Sequence, residues 1–160
     1  IFFFCLALLF GTTVSAQLVV KTKCPEFEVD LLNGTVNGIK CSDGIEYIKS
    51  KFPCFTSSEP EGQNTTCGGG VFFKDRDLFF YTLRNYVEIG EKFKGKLSLP
   101  LMGAARSRLF SMLGNPKLKD DNWEAYSLSY GTLLLYFSKA GRVNRIIMSS
   151  EGTETLRLCN

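Results

Sequence analysis

Few side chains in this chain have the types and spacing for chemistry, and one absence narrows the choice at once. Histidine does not occur in any of the 160 residues. That removes the commonest general base, and with it the Ser-His and Cys-His nucleophile systems. Ser138-Lys139 and Lys49-Ser50 are the serine-lysine neighbours to weigh, but adjacent residues on a strand point to opposite faces, which argues against a dyad. Asp120-Asp121 with Glu124 offers paired carboxylates. Without the ligand spacing of a calcium loop, they read as a solvated turn ahead of Trp123. Gly68-Gly69-Gly70 lacks the Gly-Lys-Ser/Thr ending that reaches phosphate and magnesium, so it reads as a loop beside Cys67. The chain is therefore read as a non-enzyme with no catalytic residue, no metal and no cofactor.

Cysteine is the remaining reactive type, and its use depends on the compartment. Residues 1–16 hold an apolar run from Phe2 to Phe10, then Gly11 and the small-residue end Thr12-Thr13-Val14-Ser15-Ala16. This is the pattern of a secretory signal peptide, and the run is about half the ~20 residues that a spanning helix needs. The expectation is a single domain over residues 17–160, exported to the periplasm or the extracellular space. Cys5 leaves with the leader. Cys24, Cys41, Cys54, Cys67 and Cys159 stay, in an oxidising compartment where thiols pair. Cys54 with Cys67 is the first candidate pair, since it closes the polar loop 55–66 and a loop of that size yields about 3 kcal/mol in the chain-entropy account. Cys24 with Cys41 is the second. Cys159 is then either a free thiol or a partner displacing one of these pairs, and spacing alone leaves the connectivity open. A zinc site is disfavoured by the missing histidine and the missing Cys-x-x-Cys.

Charge and hydropathy exclude two further classes. Nineteen Lys and Arg against 16 Asp and Glu give a net +3, with the two signs interspersed, so no footprint for nucleic acid is present. Lys92, Lys94 and Lys96 read as a solvated edge that discourages unwanted strand pairing. After the leader no apolar segment is long enough to cross a bilayer. Asn33-Gly34-Thr35 and Asn64-Thr65-Thr66 match the N-glycosylation acceptor pattern and fall in expected turns or loops.

The elements that must position these residues follow from periodicity. Phe27, Val29 and Leu31 alternate with Glu28 and Asp30, the period of a half-buried strand. Asn33-Gly34 predicts a type I′ turn and residues 35–40 the returning strand. Ile45, Ile48 and Phe52 mark a short amphipathic helix that Pro53 ends. Residues 56–70 read as loop. Residues 71–74 and 78–89 form a second hairpin around Asp75-Arg76-Asp77, with Phe79, Tyr81, Leu83, Val87 and Ile89 on one face. Residues 92–100 connect to a second helix over 103–113, capped by Gly114 and barred by Pro116. Short strands at 124–130, 132–138, 143–149 and 155–159 complete a meander. The fold class is α+β, with short helices packed on one face of an antiparallel β-sheet. Two tandem helix-plus-meander repeats, 24–95 and 96–160, are one way to divide it.

The helix ending Leu113-Gly114-Asn115-Pro116, then Trp123 and Tyr126, then residues 135–137, Gly141-Arg142-Val143 and Ile146, resembles the small exported domain of the SmpA/OmlA (BamE-like) envelope proteins. The β-lactamase inhibitor proteins look like a tandem version of it. The resemblance covers residues 103–148 and implies an exposed sheet face available for protein contact. The chain departs from the lipoprotein members in having no lipobox cysteine, in its five later cysteines and in the long loop 55–70. Trp123, Tyr126, Tyr130 and Tyr136 are the candidate recognition surface, of the composition found at interface hot spots. The expected function is a non-enzymatic, exported protein-interaction domain using the open face of its sheet, with another exported or envelope protein as partner. The alternative is a small-molecule-binding or hydrolytic domain with a pocket between helix and sheet.

Overall fold

The computed structural model describes residues 22–62 and 67–159. The expected leader (1–16) and the acceptor Asn64-Thr65-Thr66 lie outside the described residues. Twelve strands in two sheets, with two short helices, make the described chain mostly β. This corrects the expected α+β class. The second expected helix shows why. Gly103 has φ +74° and Ala105 is extended, so the segment enters a 3-10 turn at Arg106–Arg108 and leaves only α2 (Leu109–Leu113) as α-helix. Segments read as connections form strands instead. Among the described residues no helix is long and apolar enough to cross a membrane.

The alternation at the start of the chain builds the smaller sheet. Strand β1 (Phe27–Asp30) buries Phe27 and Val29 and pairs antiparallel with β2 (Thr35–Val36), which pairs with β3 (Ile39–Lys40). Asn33-Gly34 is not the two-residue turn expected. Asp30 pairs with Thr35, leaving four residues between the strands, because Asp30 Oδ1 accepts from the Leu32 and Asn33 amides while Leu31 turns fully into the core. The two-residue turn with both residues at positive φ is Asn37-Gly38, at +48° and +82°, between Val36 and Ile39. The basic connection contributes β8 (Gly95–Leu97), which lies parallel to β1. Lys96 there bridges Glu26 at 2.9 Å and Glu28 at 3.5 Å.

The larger sheet has eight strands, all antiparallel to their neighbours. Its members are β4 (Ser57–Glu59), β5 (Gly70–Phe73), β6 (Leu78–Tyr81), β7 (Tyr86–Gly90), β9 (Leu118–Lys119), β10 (Trp123–Leu128), β11 (Gly131–Phe137) and β12 (Val143–Ser149). They lie in the order β4-β5-β6-β7-β12-β11-β10-β9. Two four-stranded meanders therefore run outward from a central β7–β12 pair, each preceded in the chain by a short helix, α1 (Ile45–Lys51) or α2. The expected strand over 78–89 is broken by a 3-10 turn at Thr82–Arg84 and by Asn85 at φ +51°. The break changes the parity. Leu78 and Phe80 share the core face with Val87 and Ile89, while Phe79 and Tyr81 point away with Tyr86 and Glu88. Residues 155–159 form no strand.

Between the two sheets lies one apolar core, closed by both helices. Phe27 meets Phe52 and Phe73 with ring centroids 5.0 Å apart in each case, in the edge-to-face geometry that the ring quadrupole favours. Phe27 thus ties β1 to the end of α1 and to β5. Ile48 and Leu109 bring the helices onto the same cluster. Tyr130 reaches across from the larger sheet, donating its hydroxyl to Leu31 O at 3.1 Å.

Its ring rests against Gly34, where a Cβ would fall on the Tyr130 ring atoms at a φ of +64°. Gly38 has φ +82° and open space beside it. Gly38→Ala should therefore cost about 1 kcal/mol, the left-handed penalty alone, while Gly34→Ala should cost at least twice that in urea unfolding. Equal losses for the two variants would mean that the Tyr130 contact does not hold the loop.

Candidate functional site

The face of the larger sheet turned away from the core is defined by the strand registers. One row runs across all eight strands: Ser57, Phe72, Phe79, Glu88, Ile147, Leu134, Ala125 and Leu118, each opposite the next. A second row follows Tyr81, Tyr86, Ser149, Thr132 and Ser127. A third follows Gly90, Arg145, Tyr136 and Trp123. An antiparallel sheet with one packed face normally shows polar residues on the other. Here the second face is largely apolar and aromatic.

Part of this face is covered by a strap, the segment that follows β12. After β12 the backbone turns at residues 150–155 and crosses back, so that Leu156, Leu158 and Cys159 pack on Tyr86, Ala125, Leu134 and Ile147. Polar contacts hold the segment at both ends. Glu151 accepts from Asn85 Nδ2 at 3.0 Å, and its carbonyl accepts from Thr132 Oγ1 at 2.8 Å. At the far end Arg84 Nη1 donates to Leu158 O at 3.0 Å, and the Cys159 amide donates to the Tyr86 hydroxyl at 3.0 Å. Cys159 is also disulfide-bonded to Cys67. Burial pushes the Tyr86 phenol well above its usual range, partly offset by that amide. Beside the strap an apolar cleft of about 270 Å³ opens, walled by Leu118, Trp123, Leu134, Tyr136, Leu156 and Leu158.

The other side of the face carries an aromatic group with a carboxylate beside it. Phe72 lies 6.2 Å from Phe79 and 5.4 Å from Tyr81, and Tyr81 stacks on Tyr86 at 4.6 Å. Glu88, 21% exposed, has Arg145 at 3.9 Å, beyond hydrogen-bond distance. The Arg145 guanidinium is instead centred 3.9 Å over the Tyr136 ring. Burial holds the Glu88 carboxyl above its usual value, with Asp77 adding to the shift and Arg145 opposing it.

The four aromatic residues proposed from sequence divide between the two faces. Trp123 and Tyr136 stand opposite each other on the open face. Tyr126 is buried on the core side, its hydroxyl donating to Glu124 Oε2 at 2.6 Å. Tyr130 is engaged with Leu31, so neither of these two reaches the surface assigned to them. Glu124 does not pair with Asp120 or Asp121. It meets Arg106 Nε at 2.8 Å, while the same guanidinium donates to the carbonyls of Asp120 and Asp121 and lies over Phe137. The Ser50 hydroxyl donates to Tyr47 O and Lys49 pairs with Glu46, which leaves no dyad there.

The cysteines pair differently from the expectation. Cys24 bonds Cys54 and Cys67 bonds Cys159, with Cα atoms 5.3 and 5.1 Å apart, in the usual disulfide range. Cys54–Cys67 and Cys24–Cys41 are not formed. Cys41 faces the core as a free thiol, donating to Gly34 O at 3.4 Å, with burial pushing its pKa up to about 12. Phe79, Tyr81, Glu88 and Arg145, all partly exposed, were missed as surface residues. The available signal was the unbroken apolar run 78–81, which is too apolar for a strand with one wet face. Neither a family model, nor a curated protein, nor a solved structure matches this chain.

A carboxyl whose folded pKa is raised adds stability below its unfolded pKa and loses it as the pH rises through the folded value. Ionised Glu88 is therefore a cost to the fold at neutral pH. Glu88→Gln should raise the melting temperature at pH 7 to 8, and the gain should fade as the pH falls through the raised carboxyl value and be gone by ~4.3, the ordinary glutamate value. A less stable Gln variant at pH 7 would show that the Arg145 attraction outweighs burial.

Proposed function

We propose that this chain is a non-enzymatic exported protein, periplasmic or extracellular, that binds another exported or envelope protein through the open face of its larger sheet. The observation that carries the reading is the partly exposed set Phe79 and Leu118 at the two sides of the apolar row on the face opposite the core, whose middle residues Ile147, Leu134 and Ala125 lie under the segment after β12. Tyr81, Arg145, Tyr136 and Trp123 flank it, and Trp, Tyr and Arg are the types that dominate binding energy at protein interfaces. Two disulfides in a chain of this size support an oxidising compartment. On residues 103–148 we also propose kinship with the SmpA/OmlA (BamE-like) domains, which implies the same use of an exposed sheet face.

A second reading rests on the cleft beside the strap, whose lining suits a small apolar molecule. Trp123 is the single tryptophan of the chain and would report such a ligand by quenching.

The two readings separate in one set of variants. Phe79→Ala combined with Tyr136→Ala should lose a partner that the wild type retains from the secreted or envelope fraction, with the melting temperature shifted by less than about 3 °C. Loss of partner and stability together would count against a binding face. Leu156→Arg should abolish Trp123 quenching by an apolar dye if the cleft is the site, and leave partner retention intact if the face is.

A further inference from the structure

On a chain of net charge +3, the exposed aromatic half of the open face is bordered by carboxylates. Glu88 stands in the transverse row between Phe79 and Ile147. Glu59, on the edge strand β4, is exposed and close enough to Tyr81 to push its phenol upward, a smaller effect than burial and Glu88. The Asp77 carboxylate lies over Gly90, where any Cβ would collide with it. One cation faces Glu88 from the neighbouring strand, and it is the Arg145 already stacked on Tyr136. A largely buried carboxylate whose nearest cation stands beyond hydrogen-bond distance costs the fold stability, and a binding site can return that cost when a partner supplies a closer charge.

We infer that this half of the face receives a basic segment of the partner protein: two Lys or Arg side chains separated by apolar residues. This rests on the open-face reading of the previous subsection and adds the chemistry of the partner. The rings and the carboxylates act together. A cation over Tyr81 or Phe79 meets the negative face of the ring, worth about 0.5–2 kcal/mol depending on desolvation, and a carboxylate beside it. Glu59 and Glu88 stand on strands three spacings apart, about 14 Å at ~4.8 Å each. That is the reach of roughly four residues of extended chain, which suits a polypeptide with two charges and not one small cation. An acidic segment would place like charge on Glu88 and leave it desolvated, which sets specificity by rejection as well as attraction. A metal ion is a poorer fit, since among the described residues no three His, Cys, Asp or Glu side chains converge to hold one.

The test is an amide chemical-shift titration of the full chain with two synthetic peptides, acetyl-Lys-Leu-Trp-Leu-Lys-amide and the same peptide with both Lys replaced by Glu. The Lys peptide should give saturable shifts centred on Phe79, Tyr81 and Glu88. Its dissociation constant should rise at least about five-fold in a Glu59→Gln/Glu88→Gln variant, and again when salt is raised so that the Debye length falls from ~10 to ~3 Å. Because Glu88→Gln is expected to stabilise the fold, lost binding in that variant is not unfolding, and its melting temperature checks this directly. Equal binding of the Glu peptide at the same residues would overturn the cationic subsite and leave the open-face reading standing. Saturation of the same shifts by free lysine amide would overturn a polypeptide occupant. No shift on this half at millimolar Lys peptide would overturn the inference outright, whatever the partner-retention experiment shows for the face as a whole.

Discussion

Five residue pairs between β7 and β12, from Gly90 with Arg145 to Tyr86 with Ser149, turn two four-stranded meanders into one sheet. Without that ladder each meander would end in a long edge strand rich in apolar residues, the kind of edge that recruits other chains. With it, the outer strands are the short β4 and β9, of three and two residues. The same ladder aligns the core side chains. Val87 and Ile89 from one meander and Ile146 and Met148 from the other are completely buried on one face, against the smaller sheet and the two helices. The alternation that buries them puts Glu88 and Ile147 on the opposite face.

That second face would be a liability if left bare, and the chain covers part of it with the segment that follows β12. Leu156 and Leu158 supply the apolar cover. The Cys67–Cys159 bond ties the segment's end to the loop before β5, closing a long stretch of chain at a single point. A bond with that separation restricts the unfolded chain more than one closing a local loop in the entropic account. The cover is incomplete. Trp123, Tyr136, Phe79 and Tyr81 are all only partly buried, and they flank the strap on two sides.

Glu88 is the clearest conflict between local energetics and position. An apolar residue there would continue the row from Phe79 to Ile147 without a desolvated charge. Places where a chain keeps a locally unfavourable residue with only partial compensation inside the fold, here the attraction of Arg145, are where function is sought. Arg106, by contrast, is fully employed. Its contacts with Glu124, the Asp120 and Asp121 carbonyls and the Phe137 ring bind the turn before β10 to the approach to α2, so this acidic cluster has a structural occupation.

Period-two alternation was sufficient to locate β1 and β11, flanking turn residues marked off β12, and the helix with Ile48 and Phe52 ending at Pro53 was equally legible, because each depends on interactions within a few residues. The identity of the two-residue turn was not. Two Asn-Gly pairs compete within six residues, and Asp30's hold on the Leu32 and Asn33 amides decides between them. The break at residues 82–85 was hidden for a related reason: these four residues turn β7 back on β6 as a hairpin, and apolar residues on both faces erase the alternation that would have revealed the reversal. Of the surface aromatics, Trp123 and Tyr136 were recognisable as a type but not by face. Disulfide partners, the parallel β1–β8 pair and the strap across the open face all join segments far apart in the chain. Composition and spacing carry no record of such contacts. They exist only once the core has brought β1 beside β8, Cys54 beside Cys24 and the last residues back over Tyr86.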